Sequence, residues 1–83
     1  MGNPGRPYKN EYKTDTIFSV RMRELMHERD VETKELAIVL RMSREAVGQW
    51  RRGVCAPSLP CLAEICDILD VSADYLIGRT DER

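Results

Sequence analysis

The chain has little of what an enzyme or a metalloprotein needs. Its 83 residues include one histidine and three cysteines. Cys55, Cys61 and Cys66 are separated by five and four residues, so they form none of the close pairs typical of a zinc site or a redox motif. No nucleophile has a positioned partner, and no glycine-rich phosphate loop follows a strand. We therefore predict no catalysis, no metal, no cofactor and no small-molecule ligand.

Long apolar runs are absent as well. No segment approaches the roughly 20 apolar residues of a membrane span, and the N-terminus lacks the apolar middle part of a secretory signal. An odd number of cysteines is typical of free thiols in a reducing compartment. We therefore expect a cytoplasmic protein.

The length allows a single hydrophobic core, near the lower size limit for a domain without disulfides or metals. Glycines and prolines alternate with charged residues near the N-terminus, which predicts a flexible arm over residues 1–14. Basic residues of this arm, Arg6, Lys9 and Lys13, could contact phosphates, although a disordered tail is the simpler interpretation. We place the folded domain at residues 15–78 and a C-terminal tail at residues 79–83.

The chain also lacks a strong net charge, which is only −1 and by itself gives no support to nucleic-acid binding. The distribution of charge is more informative than its sum. Residues 41–52 contain four arginines and one glutamate, whereas residues 59–83 contain six acidic residues and two arginines. This polarity predicts a basic face that approaches an anionic partner and an acidic face that points away from it. The alternative is an ordinary solvated surface.

The most informative pattern lies in residues 36–53. Leu36, Ala37 and Leu40 recur on one helical face, and Val47 and Trp50 lie three residues apart. This spacing predicts two short amphipathic helices. Because such short helices are not stable alone in water, their apolar stripes must pack against each other and against a third element.

A tight turn is predicted between these two helices, at residues 41–43. Ser43 is a strong N-cap, and Glu45 places a carboxylate in the first turn of the next helix, where it suits the helix dipole. That helix is expected to run from Ser43 to about Arg52 and to stop at Gly53. Two helices joined in this way form a helix-turn-helix, a motif that places its second helix in the major groove of DNA.

Three further helices complete an all-α prediction of five helices. The first is expected over residues 15–29 with a cap at Asp15 or Thr16, the fourth over residues 58–69 and the last over residues 72–78, both with serine caps. The residues expected to face inward are Phe18, Met22, Leu25 and Met26 in the first helix, Leu62, Ile65, Cys66 and Leu69 in the fourth, and Tyr75, Leu76 and Ile77 in the last.

With Val47 and Trp50 turned inward, the opposite face of the helix over residues 43–52 is left for solvent or a partner. Arginine can bind guanine through two hydrogen bonds, glutamine can bind adenine in the same way, and glutamate can accept a hydrogen bond from cytosine. A glycine removes bulk where the backbone comes near the bases. The predicted base-reading residues are Arg44, Glu45, Gly48 and Gln49.

In combination, residues 17–77 resemble the Cro and phage-repressor type of helix-turn-helix domain, also called XRE-like. The resemblance rests on Leu36-Ala37, Ser43, Val47, Trp50, Arg52-Gly53, Pro57-Ser58-Leu59 and Leu69-Asp70-Val71-Ser72. It implies a small five-helix bundle of the lambda-repressor-like type, two copies of which bind a near-palindromic operator. It also carries the family's base-reading positions onto Arg44, Glu45 and Gln49, with Gly48 between them, and its phosphate-binding positions onto Thr33, Ser43 and Arg52.

Three departures from the family pattern affect the predicted phosphate contacts. Thr33 stands where glutamine is usual, and its shorter hydroxyl can still reach a phosphate. Arg41 stands where glycine is frequent, so a left-handed backbone there costs ~1 kcal/mol, and its charge is expected to face phosphates. Met26 and Arg51 replace a buried arginine–glutamate pair, which is expected to leave Arg51 free to add positive charge near the DNA.

Two functions remain open. The first is a sequence-specific transcription regulator, a repressor of phage, prophage or plasmid type, acting as a homodimer in the cytoplasm of a bacterium or phage host. Tyr75 and Ile77 are the candidate dimer contacts, unless they simply close the core. The second is a protein-interaction module on the same fold, such as an antirepressor or antitoxin. The segment at residues 75–81 resembles the junction at which longer regulators continue, which leaves open that the chain is a fragment.

Overall fold

The computed structural model describes the backbone of residues 14–83 and the side chains from residue 17 onward. Within this range the chain forms five α-helices and no strands, as the sequence predicts. The helices are α1 (Thr14–Glu28), α2 (Thr33–Leu40), α3 (Arg44–Arg52), α4 (Leu59–Leu69) and α5 (Ala73–Leu76). The predicted arm lies outside the described residues apart from Thr14, which belongs to α1. The prediction that Asp15 or Thr16 caps this helix was wrong, because both residues lie within α1 rather than before it. Their side chains lie outside the described part.

The core forms where the predicted apolar stripes meet. The inward-facing residues named from the sequence are buried, except that Leu62 and Ile77 are only partly so. Val71, in the connection between α4 and α5, also joins the core and was not anticipated. Helical periodicity therefore predicts the buried faces of the helices correctly. The burial of residues in the connections, such as Val71, depends on how the helices pack together.

Serine caps begin three of the helices, as predicted. Ser43, Ser58 and Ser72 each accept a hydrogen bond from the backbone amide three residues later, at 3.0, 3.3 and 3.0 Å. Each cap satisfies one amide that has no partner within its helix. The helix start points are thus set locally.

Helix α2 begins in a different way. Its N-cap is Glu32, whose side chain accepts from the amide of Glu35, while the Glu35 carboxylate accepts from the amide of Glu32 at 2.8 Å. This capping box places two carboxylates at the start of α2, where their negative charge interacts favourably with the positive end of the helix dipole.

Helices α1 and α5 are each followed by a residue in a left-handed conformation. Helix α1 stops at Glu28, and Asp30 takes a left-handed conformation with φ of 57°. Helix α5 stops at Leu76 rather than reaching Gly78, which has φ of 88°. A Cβ at Gly78 would lie 2.9 Å from Ile17, so this turn requires glycine both for its conformation and for close packing.

The C-terminal segment at residues 79–83, predicted as a tail, is docked against α1 and α5. The guanidinium of Arg21 donates to the carbonyl oxygens of Tyr75 and Thr80 and to the Asp81 carboxylate, at 2.6, 2.7 and 2.7 Å. The amide of Ser72 donates to the carbonyl oxygen of Arg83 at 2.9 Å. The contacts of Arg21 join positions more than fifty residues apart in the chain, so no local pattern could predict them.

An ion pair completes this docking. Both terminal nitrogens of Arg83 donate to the carboxylate of Glu28. The hydrogen bond from Arg83, followed by one from Arg29, lowers the pKa of Glu28 to about 2. The carboxylate is therefore ionised and able to hold the C-terminal segment far below neutral pH.

Candidate nucleic-acid interface

Helix α3 is anchored by one face and leaves the other outside. Val47 is fully buried and Trp50 is 3% exposed, and they pack α3 against α1 and α2. The Ser43 cap fixes where the helix begins, and Gly53 ends it with a left-handed φ of 78°. The remaining side chains of α3 are therefore carried on a helix held firmly by its buried face.

The outward face of α3 carries the predicted base-reading residues. Arg44 and Glu45 are exposed, and Gly48 and Gln49 are partly buried. Among residues 17–83, no hydrogen bond or ion pair engages the side chains of Arg44, Glu45 or Arg52. Their donors and acceptors are thus available to a partner.

Gln49 has a neighbour that sequence reasoning missed. The thiol of Cys55, in the loop after α3, donates to the side-chain oxygen of Gln49 at 3.5 Å. Cys55 lies between the predicted third and fourth helices, and no spacing rule would have paired it with Gln49. The contact holds the Gln49 side chain beside the loop while its amide nitrogen remains a donor.

Arg51 is not free, and this part of the sequence prediction was wrong. Its guanidinium donates to the Thr33 hydroxyl at 2.8 Å, and its Nε atom is buried without a hydrogen-bond partner. Arg23, which the sequence did not single out, donates to the carbonyl oxygen of Arg51 at 2.7 Å. The side chain is held because the start of α2 and the end of α3 meet here, bringing together residues 18 positions apart.

Thr33 and Arg51 line a cleft of about 370 Å³ between the end of α1, the start of α2 and the end of α3. Arg23 and His27 also line it, as do the acidic Asp30 and Glu32. The Glu32 carboxylate occupies the start of α2, where a phosphate would otherwise find a favourable dipole. A phosphate at this corner would therefore depend on the arginines more than on the helix N-terminus.

Arg41 has the left-handed backbone expected of it, with φ of 58° and ψ of 39°. It ends α2, and its side chain is exposed at the turn before α3. The amide of Arg41 donates to the carbonyl oxygen of Ile38 at 3.1 Å, which satisfies part of the helix end.

Replacing Arg41 by glycine is expected to stabilise the domain by about 1 kcal/mol, because glycine adopts this conformation without a Cβ penalty. The same change removes a positive charge, so it should weaken binding to any DNA and reduce the salt dependence by about one phosphate contact. Thermal unfolding and binding isotherms over a range of salt concentrations measure the two effects. Asp70→Gly, at the left-handed end of α4, is the matched control and should stabilise without reducing the salt dependence. An unchanged salt dependence in Arg41→Gly would contradict the phosphate contact.

Of the two candidate dimer contacts, Tyr75 is mostly covered by its own chain. It is 8% exposed, and the Arg21 guanidinium lies 4.2 Å from the centre of its ring. Ile77 remains partly exposed. Tyr75 therefore closes the core, which is the alternative left open by the sequence.

The three cysteines are free thiols, with Cys55 exposed and Cys66 buried. Burial raises the pKa of the Cys66 thiol, with a smaller contribution from Asp67. No group of histidine, cysteine or acidic side chains in the described range is arranged to hold a metal ion. Over the same range, no helix combines the length and apolar character that crossing a membrane requires.

Helix α3 is short and capped, is anchored by one face, follows a tight turn and exposes a face that carries arginine and glutamine. This arrangement defines the class of helix-turn-helix DNA-binding proteins. A family model, the Cro/C1-type HTH DNA-binding domain, matches residues 21–82. The chain belongs to this family, whose members are DNA-binding regulators of transcription rather than typical enzymes. Searches of curated proteins and of solved structures found no match.

Proposed function

We propose that the protein is a sequence-specific repressor of phage or prophage type that inserts α3 into the major groove of a near-palindromic operator. The observation that supports this function best is the outward face of α3, where Arg44 and Glu45 are exposed and engaged by no other side chain among residues 17–83. These groups stand on a helix that is capped by Ser43, anchored by its opposite face and preceded by a tight turn, which is the arrangement that enters a major groove. The protein would act in the cytoplasm of a bacterium or phage host, at the nucleoid.

The base-reading residues would act through hydrogen bonds at base edges. Arg44 would bind guanine through two hydrogen bonds, and Glu45 would accept from cytosine. Gln49 keeps its amide nitrogen as a donor, because Cys55 contacts only its oxygen. Each such contact discriminates against the wrong base by roughly 1–3 kcal/mol.

The phosphate contacts would come from residues around this face. Arg41 and Arg52 are exposed and unpaired among residues 17–83, and the Ser43 hydroxyl can donate while it accepts from the Ala46 amide. Thr33 and Arg51 would act together, because their side chains are already joined. Such contacts orient the protein on the duplex and carry little sequence information.

A homodimer is proposed because one recognition helix reads only a few base pairs. Two copies related by a two-fold axis would read half-sites about one DNA turn apart. Ile77, which keeps a partly exposed side chain, is the better of the two predicted contact residues, since Tyr75 is covered by Arg21.

Selection of bound sites from a random DNA pool tests the proposal. The expected result is an enriched sequence with two-fold symmetry and half-sites about 10 base pairs apart. Enrichment of no sequence at moderate salt, by a protein shown to be folded, would contradict sequence-specific recognition. An enriched sequence without symmetry would contradict the proposed dimer but not the proposed recognition of DNA by α3.

A second candidate is a protein-interaction module such as an antirepressor or antitoxin. The observation in its favour is a set of exposed apolar side chains on helices other than α3. Ile38 and Val39 on α2 are 73% and 56% exposed, and Leu59 at the start of α4 is 79% exposed. The same selection experiment separates the candidates, since this module has no need of sequence preference.

A further inference from the structure

The side chain of Arg52 lies along the outward face of α3, over Gly48. A Cβ added at Gly48 would stand 3.3 Å from a terminal nitrogen of Arg52, which is closer than ordinary van der Waals contact. This placement follows from helix geometry, because a side chain leans toward the N-terminus and covers the surface one turn before its own Cα. The absence of a side chain at Gly48 leaves the space that the guanidinium uses.

This position lies among the predicted base-reading residues. Arg44, Gly48 and Arg52 follow one another at intervals of four, so they form one row along the helix. The Arg52 guanidinium thus lies in the row where the side chain of residue 48 would otherwise contact a base.

The Arg52 guanidinium also has its full set of donors available. It makes no hydrogen bond or ion pair in the described part of the chain. Its neighbour Arg51 differs sharply, because Thr33 holds that side chain on the other side of the helix end. Of the two adjacent arginines, only Arg52 can present its planar fork to a base.

From this placement we infer that Arg52 is a base-reading residue that recognises the O6 and N7 atoms of guanine. We also infer that the missing side chain of Gly48 leaves the space in which the Arg52 guanidinium is positioned. This inference rests on the proposed function and changes the assignment of two residues. Arg52 moves from the phosphate contacts to the base contacts. Gly48 serves to admit the Arg52 side chain rather than to bring the backbone close to the bases.

Site selection from a random pool, repeated with variants, tests the inference. Arg52→Ala is expected to lose the preference for guanine at one position of each half-site by about tenfold or more, while preferences elsewhere are retained. Gly48→Ala is expected to weaken the preference at that same position, because the Arg52 guanidinium must shift by a few tenths of an ångström to make room for the new Cβ. Its thermal stability should be equal to or higher than that of the parent, because alanine is a better helix former than glycine.

Arg41→Ala is the matched control, since it removes an exposed arginine from the turn outside α3. It should lower affinity evenly and leave every base preference intact. The inference is overturned if Arg52→Ala behaves like Arg41→Ala, with a lower salt dependence and unchanged preferences. It is also overturned if Gly48→Ala leaves unchanged the guanine preference at the position that Arg52→Ala affects. If the parent protein itself selects no sequence, the proposed function is contradicted. That outcome is distinct from a parent that selects a sequence while the variants contradict the role of Arg52.

Discussion

Replacement of Trp50 by alanine is expected to leave much of the domain unfolded at room temperature. Trp50 is 3% exposed and packs the recognition helix against the rest of the core. Truncating a buried tryptophan to alanine costs about 3–5 kcal/mol. A domain of this size has little more than that as its total free energy of unfolding. Denaturant unfolding followed by far-ultraviolet circular dichroism measures the loss.

The control for Trp50→Ala is an exposed apolar residue truncated in the same way. Leu59 is 79% exposed, so Leu59→Ala should change the free energy of unfolding by no more than about 0.5 kcal/mol. Similar stabilities for the two variants would show that α3 does not depend on its buried face, and the anchoring described for this helix would be incorrect.

Arg44→Ala and Gln49→Ala are each expected to reduce discrimination between the selected DNA site and a mismatched one by tenfold or more. The reason is the loss of hydrogen bonds to a base edge, each pair of which contributes about 1–3 kcal/mol of discrimination. Both side chains lie outside the core, so the melting temperature should stay within a few degrees of the parent. Competition gel shifts with matched and mismatched duplexes measure the ratio.

Arg79→Ala is the matched charge control for Arg44→Ala. Arg79 is exposed beyond α5, with Asp74 at 3.7 Å, and lies in the acidic C-terminal part of the sequence. Its loss removes the same charge and should leave discrimination unchanged. The base-reading assignment would have to be abandoned if Arg44→Ala and Arg79→Ala reduced binding to both duplexes to the same extent.

Much of the fold could be predicted from the sequence, because its determinants are local. The spacing of Leu36, Leu40, Val47 and Trp50 predicted which faces are buried, and the structure confirms all four. The serine caps were predicted from residue type, since a hydroxyl before a helix meets the amide three residues later. The left-handed Arg41 was expected as well.

Helix ends were harder to predict where no strong signal marks them. Asp30 and Asp70 end α1 and α4 in left-handed conformations at φ of 57° and 58°, although nothing in their residue type required it. Beyond the end of α5, a Cβ added at Gly78 would stand 2.9 Å from Ile17, a residue sixty-one positions earlier. Such ends depend on the neighbours that packing supplies.

The exposed face of α3 and the class of protein follow from the sequence by itself, because helical period and capping act within a few residues of each other. Tertiary structure alone decided that Arg51 rests on Thr33, that Cys55 meets Gln49 and that Arg21 holds the segment at residues 79–83. These contacts form between side chains that no periodic rule relates. Their physical origin is the way five helices share one small core, which brings distant polar groups together only after the apolar faces have packed.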